Sequence, residues 1–327
     1  MKLTIFVHHP FALWTAPGWF SERLRQEFPQ LNVVHLPDYQ GVDTEICDTD
    51  IAITWSIKPE QVRAASKLRW IHSPAAAVHT LIFPEMVESQ IQITNARDVH
   101  GPVVAEHVIA QIFALAKKIP DAVRLQQKQD WGQQKMWDEL PRVREVAGAT
   151  VGLVGLGSIG RAVVRTAKAL GMRVIAVREH PEKGSEGADA VFRPAQMDEV
   201  FREADYVVLA VPFTSATNVL ANAQRLALMK SDACLINVGR GQLVDESALV
   251  LALRDKKIGG AALDVFPTEP LAAESPLWDV PGLLITPHTA ALTDKLWERH
   301  YALFSENLRR YLAGDSLLGV VDKRKGY

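Results

Sequence analysis

Cysteine is nearly absent: Cys47 and Cys234 stand alone in a chain of 327 residues. Without close spacing they form no zinc or redox motif, and a disulfide framework is not expected, so a reducing cytoplasm is the expected setting. No apolar run approaches the roughly 18 residues of a membrane span. The opening MKLTIFVHHP has a run too short for a signal peptide and reads as a first β-strand. Neither sign of charge dominates. There are 36 Lys and Arg against 38 Asp and Glu, a formal net charge of -2, which gives no argument for a nucleic-acid partner or an anionic membrane surface. The basic tail DKRKGY is short and reads as a solvated terminus. No internal repeat or low-complexity tract occurs. No histidine arrangement matches a metal site, and no metal is expected.

What is present is the composition of an ordinary globular protein, 48% apolar and 23% charged, in a chain long enough for two domains. Short apolar runs alternate with amphipathic stretches. LTIFV, NVVHL, IAI, LRWIH and IQIT read as strands, separated by helical patterns such as WFSERLRQEF and KPEQVRAAS. Such alternation argues for a parallel sheet covered on both faces. PVVAEHVIAQIFALAKKI has helical spacing and Pro102 in its first turn. The polar stretch after it, with Trp131 and Trp137, reads as a helix end and then an extended excursion. A second alternation follows, with strands TVGLVG, MRVIAV, DYVVLAV, ACLINVG, GGAALDV and GLLIT. A last amphipathic helix, LTDKLWERHYALFSENLRRYL, is expected to pack back on the first domain. The fold expected is therefore α/β, with two doubly wound parallel-sheet domains. A dinucleotide-binding domain of the Rossmann type, 102–291, is inserted into a flavodoxin-like substrate-binding domain, 1–101 and 292–327.

Gly155, Gly157 and Gly160 follow the strand TVGLV and open the helix SIGRAVVRTAKAL. In that context G-x-G-x-x-G is a dinucleotide fingerprint. The first glycine permits the turn, the second lets backbone approach a pyrophosphate, and the third lets the helix pack on the strand. The helix N-terminus offers free N–H groups to the phosphates. A ligand-free glycine turn is the bland alternative. Where an NAD enzyme has an acidic residue beside the ribose, about 20 positions on, this chain has Arg178, followed by Glu179, His180 and Lys183. A guanidinium there suits a 2′-phosphate, so NADP is expected over NAD. The alternative leaves Arg178 in solvent and gives the ribose to Glu179.

Arg240, Glu269 and His288 each sit just past an apolar run, where a parallel sheet places its ligand crevice. Arginine binds a carboxylate at two points and polarises a neighbouring carbonyl. Histidine moves a proton near neutral pH, and a carboxylate beside it fixes its tautomer and favours its charged form. Singly, they read as a turn residue, a loop acid and a helix-cap partner. Together, after the glycine fingerprint, they favour hydride transfer. His8 and His9 end a strand and could line a cleft mouth, whereas the neighbours of His107 suggest packing.

The motifs VAEHVIAQIFALAK, VGLVGLGSIGRAVVRTAKALGMRVIAV, LINVGRGQLVDESAL, AALDVFPTEPL and LLITPHTA resemble, over nearly the whole chain, the D-isomer-specific 2-hydroxyacid dehydrogenases. Within that family the chain looks most like the short glyoxylate and hydroxypyruvate reductases, without the regulatory domain of the longer 3-phosphoglycerate enzymes. The resemblance implies Arg240, Glu269 and His288 as the catalytic set and Asp264 near the nicotinamide carboxamide. It also implies that Ser158, Ile159, Val211, Pro212, Thr217, Val238 and Gly239 contact the cofactor together with Arg240 and His288. It further implies a homodimer built on the 102–119 helix and the excursion. The substrate would be a small 2-keto or 2-hydroxy acid lying between the domains, held by Arg240 and His288. The family's glycine-containing carboxylate loop is SPAAAVHT here, with Ala76 and Ala77 where glycine is common, and alanine resists positive φ. The rival expectation is a dinucleotide-sensing corepressor of the same fold, which would carry disordered tails or a peptide groove. A first strand starting by residue 3 and a short tail favour the enzyme.

Overall fold

The computed structural model describes residues 1–76 and 78–326. The chain divides into two compact units, Met1–His100 with Thr293–Tyr327, and Gly101–Leu292. In the first, strands β1 (Lys2–Phe6), β2 (Asn32–His35), β3 (Ile51–Thr54), β4 (Trp70–Ser73) and β5 (Gln92–Asn95) form one sheet in the order β2-β1-β3-β4-β5. Every pairing is parallel. A parallel sheet is covered on both faces, so β3 and β4 are buried at every residue instead of alternating. The final helix, Leu296–Ala313, packs on this sheet: Phe304 and Tyr311 each stack on Trp70 with centroids 5.2 Å apart.

The same helix closes over three histidines. His72 is fully buried on β4, with Nδ1 2.9 Å from the Thr94 hydroxyl. The His300 ring lies 5.8 Å from that of His100, and neither ring nitrogen of His300 meets a partner among the described residues. Burial opposes their charged forms, pushing His72 down to about 3 and His100, which also feels Arg299, down to about 4. His300 is lowered as well, by burial and then by the other two.

The second unit holds β6 (Thr150–Val154), β7 (Arg173–Val177), β8 (Ala190–Phe192), β9 (Tyr206–Leu209), β10 (Cys234–Asn237), β11 (Gly260–Leu263) and β12 (Leu283–Ile285). Their order is β12-β11-β10-β9-β6-β7-β8, again parallel throughout. The chain reverses its winding between β6 and β9, the point where an open parallel sheet leaves a crevice at its carboxyl ends. Strand β8 is absent from the sequence-based reading. It has three half-buried residues at a sheet edge, too few to show a period.

The excursion after the long helix Gly101–Ala116 is helical, not extended. It contains the helices Ile119–Gln127 and Gln133–Asp138. Lys118 breaks the chain with φ +52 and Pro120 restarts it in a first turn, where its missing N–H costs nothing. The polarity of the stretch suggested a loop, but Gln, Lys and Met are good helix formers. Its ends are tied together. The Arg144 N–H donates to the Ala116 carbonyl at 3.1 Å, Lys117 Nζ to the Arg144 carbonyl at 2.8 Å, and Lys118 Nζ to the Glu139 carbonyl at 3.1 Å. The Arg144 guanidinium pairs with Asp232 at 2.9 Å and lies 5.1 Å from the Tyr206 ring centroid.

The histidine cluster contributes to the response to acid, alongside His35 and His107, which burial also lowers. The unfolded chain binds protons near the ordinary value of 6.5, while the folded chain refuses them until about 4 and about 3. The stability these histidines contribute is therefore fully present above pH 6.5 and is lost as pH falls toward the folded values, by up to about 1.4 kcal/mol per pH unit for each histidine. Urea unfolding between about pH 7 and about pH 5 should show a midpoint falling with acid. A flat midpoint would rule the cluster out as the source.

Candidate active and cofactor site

Gly155, after β6, adopts φ +108, and a side chain there would stand 2.6 Å from the Ala210 carbonyl. A Cβ on Gly160 would lie 2.3 Å from the Gly155 carbonyl, so glycine lets the helix Ser158–Ala169 approach its strand. A Cβ on Gly157 would meet nothing within 4 Å. That open space lies at the N-terminus of a 12-residue helix, where Ser158 and Ile159 lie in the first turn. The cradle therefore fits a dinucleotide pyrophosphate, which needs close backbone and a positive helix end. Across the switch point, Val211 borders Gly155, with Cγ1 2.8 Å from the position of its missing Cβ. The Thr217 hydroxyl donates to the Pro212 carbonyl at 2.8 Å and fixes that loop.

Arg240 follows β10 in extended backbone, φ -144, with an exposed side chain. Asn237 shapes the turn: its Oδ1 accepts from the Gly239 N–H at 3.1 Å and its Nδ2 donates to the Arg240 carbonyl at 2.9 Å. The glycines on either side are steric requirements. A Cβ on Gly241 would stand 1.9 Å from the Phe266 carbonyl carbon, and one on Gly239 would stand 2.8 Å from Leu243. Val238 fills the core beneath. Arg240 Nη1 donates to the Gly239 carbonyl at 2.6 Å, which leaves other N–H groups for an anion.

The His288 loop hangs on Asp264, which is 1% exposed after β11. One carboxylate oxygen accepts from the Thr286 hydroxyl at 2.5 Å and the Thr289 N–H at 2.9 Å; the other accepts from the Ala290 N–H at 3.0 Å. The Asp264 carbonyl accepts from the His288 N–H at 2.9 Å. So held, His288 takes φ +53, a conformation costly for a residue with a side chain. Its Nδ1 meets Glu269 Oε2 at 2.6 Å, with the side chains 50% and 33% exposed. The other oxygen of Glu269 accepts from the Phe266 N–H at 2.9 Å, so the carboxylate is itself oriented. With Nδ1 engaged, Nε2 is the ring nitrogen left for another partner.

The structure thus brings Glu269 and His288 into contact. It places Asp264 beneath them with its acceptors occupied. His107, expected only to pack, joins the same network: Nε2 is 3.1 Å from the Thr286 hydroxyl and 3.5 Å from Asp264. Burial lowers its pKa, and Asp264 opposes that shift. Thr286 and Thr289 were missed because a hydroxyl beside a strand carries no motif; the buried aspartate 22 residues before Thr286 was their signal. Arg178, after β7, donates from Nη1 to the Gly184 carbonyl at 2.7 Å. In the first unit, the Ala76 carbonyl accepts from Asn95 Nδ2 at 2.7 Å, while Ala77 lies outside the described residues. Among the described residues, no group of three or more His, Cys, Asp or Glu is placed to hold a metal.

The Gly241 contact gives a direct check on this geometry. Gly241→Ala drives a methyl into the Phe266–Pro267 backbone, and overpacking of that kind costs about 1–3 kcal/mol. The urea midpoint should fall accordingly, and an unchanged midpoint would show that the turn adapts freely.

Residues 109–290 match the family model for the D-isomer specific 2-hydroxyacid dehydrogenase, NAD binding domain. The chain is 36% identical to a D-3-phosphoglycerate dehydrogenase of Synechocystis over 254 residues, 77% of this chain but 44% of that longer protein. It is 32% identical to a glyoxylate reductase of Pyrococcus furiosus over 285 residues, 85% of this chain and 84% of that one. A solved D-isomer specific 2-hydroxyacid dehydrogenase from Xanthobacter autotrophicus, in complex with NADPH and MES, superposes with a TM-score of 0.82. That structure is 28% identical and covers 100% of this chain and 99% of the other. The glycine cradle, the two parallel sheets and these matches agree: the chain belongs to the D-isomer specific 2-hydroxyacid dehydrogenases, a family of NAD(P)-dependent oxidoreductases.

Proposed function

We propose that the protein reduces small 2-keto acids of the glyoxylate and hydroxypyruvate class to D-2-hydroxy acids, with NADPH preferred over NADH. The observation that carries the reading is the 2.6 Å contact between His288 Nδ1 and Glu269, in the unit that also holds the glycine cradle. When bound, the nicotinamide supplies a hydride to the keto carbon. Arg240 holds the substrate carboxylate and polarises the carbonyl through its paired N–H groups. His288, with Glu269 on Nδ1, gives the Nε2 proton to the developing alkoxide. Gly155, Gly157, Ser158, Ile159 and Gly160 cradle the pyrophosphate, Val211, Pro212, Thr217, Val238 and Gly239 line the cofactor site, and Asp264 carries the loop beside it. The glyoxylate reductase relative supports the substrate class, and the NADPH complex supports the cofactor. The glyoxylate reductase and dehydrogenase relatives support an enzyme, so the corepressor-like reading is not favoured.

We also propose a homodimer in the cytoplasm. Trp131 is 87% exposed, and Trp137, Leu140, Ile119 and Val123 stand exposed on the same excursion, an apolar surface of the kind that marks a protein interface. The free Cys47 and Cys234 suit a reducing compartment. Among the described residues no helix is long and apolar enough to cross a membrane.

Turnover of glyoxylate and hydroxypyruvate with NADPH and with NADH tests the activity directly. His288→Ala should lower kcat by on the order of 10²–10⁴-fold with cofactor affinity nearly unchanged, and wild-type turnover would remove His288 from the mechanism. Arg240→Lys should raise the keto-acid KM and lower kcat together, because a point charge cannot make paired contacts. Equal kinetics would mean that only positive charge matters. Light scattering should give twice the 36.2 kDa chain mass, and a monomer at that mass would refute the dimer.

A further inference from the structure

The segment between β7 and β8 folds back on Arg178. Its own N–H donates to the Phe192 carbonyl at 3.1 Å, so the backbone is fixed. The Arg178 side chain is 14% exposed and meets Gly184 and Glu186. Nη1 donates to the Gly184 carbonyl at 2.7 Å, and the Glu186 carboxylate stands 3.9 Å from the same nitrogen. The backbone that puts Glu186 there is unusual: Gly184, Glu186 and Gly187 have φ of +100, +52 and +89. A glutamate gains nothing from left-handed backbone in a solvated loop, where such a conformation is costly without compensation. The neighbouring His180 and Glu182 pair with each other at 3.0 Å, while Glu186 is the carboxylate that meets the guanidinium among the described ion pairs.

We propose that Glu186 is a built-in stand-in for the cofactor's 2′-phosphate, a specificity residue that competes with NADPH for Arg178 and sets how strongly NADPH is favoured. The inference rests on the reading of Arg178 as the 2′-phosphate contact. A phosphate bearing nearly two negative charges must take the guanidinium from a carboxylate bearing one, or share it against repulsion. NADH, with only a hydroxyl at that position, leaves the Arg178–Glu186 pair undisturbed. Neutralising Glu186 therefore tightens NADPH and spares NADH, the opposite of what the loss of a ligand contact does.

Titration calorimetry on the full chain with NADPH, NADH, adenosine 2′,5′-bisphosphate and 5′-AMP tests this. Glu186→Gln keeps the shape of the side chain and its backbone demand. It should tighten NADPH and the bisphosphate by about two- to fivefold, the worth of a partly exposed ion pair, and leave NADH and AMP unchanged. Arg178→Ala should weaken NADPH by roughly 10–150-fold and leave NADH nearly unchanged. If Arg178→Ala leaves NADPH binding intact, the 2′-phosphate reading fails and this inference goes with it. If Arg178→Ala weakens NADPH but Glu186→Gln moves nothing, or moves NADPH and NADH alike, the stand-in role alone is overturned. Unchanged NADH binding in both variants certifies that the loop change has not unfolded the domain.

Discussion

One buried carboxylate organises the candidate site. Asp264 is 1% exposed; its oxygens accept from Thr286, Thr289 and Ala290, and its carbonyl takes the His288 N–H. A charge removed from water is costly unless hydrogen-bonded, and three donors from a single loop meet that need. The loop in turn has no regular structure of its own, and its shape follows from those bonds. The left-handed backbone of His288 and the aim of its ring at Glu269 follow from where that carboxylate sits at the end of β11, and His107, carried by the long helix, comes within 3.5 Å of it.

The sheet explains why Asp264 is available there. In the seven-stranded sheet every strand points the same way, so the residues after β6, β10, β11 and β12 all emerge at one edge. Gly155, Arg240, Asp264 and His288 are each the first few residues past a strand. Rigid strands deliver the side chains, and glycine at 239 and 241 clears space against Leu243 and the Phe266–Pro267 backbone so that Arg240 can stand clear of its own turn. The order of chemistry along the chain is thus the order of strands in the sheet.

Where residue type dictates geometry, the sequence was legible. Glycines at 155, 157 and 160 after an apolar run leave few other structures, and the continuous apolar runs of β1, β3, β6 and β9 announced two parallel sheets. The Arg240, Glu269 and His288 spacing suggested a shared site, and Glu269 and His288 do meet. Legibility failed where tertiary partners decide. Strand β8 has three residues and exists because β7 lies beside it. The excursion looked extended because its residues are polar, yet helix propensity and a proline restart prevailed. His107 looked like packing because its immediate neighbours are apolar, while its partners are some 160 to 180 residues away along the chain, a distance no local pattern spans.

The way the excursion is closed has a thermodynamic consequence. Its two ends are fastened by the Arg144–Ala116, Lys117–Arg144 and Lys118–Glu139 hydrogen bonds, and Arg144 is further anchored on Asp232 and Tyr206. The exposed tryptophans therefore ride on a fastened arch, not on a tail. Less chain entropy would be lost if a partner covered that surface, so more of the apolar area buried there would be retained as net affinity. An arch with its springers fixed keeps its curvature whether or not anything rests on it.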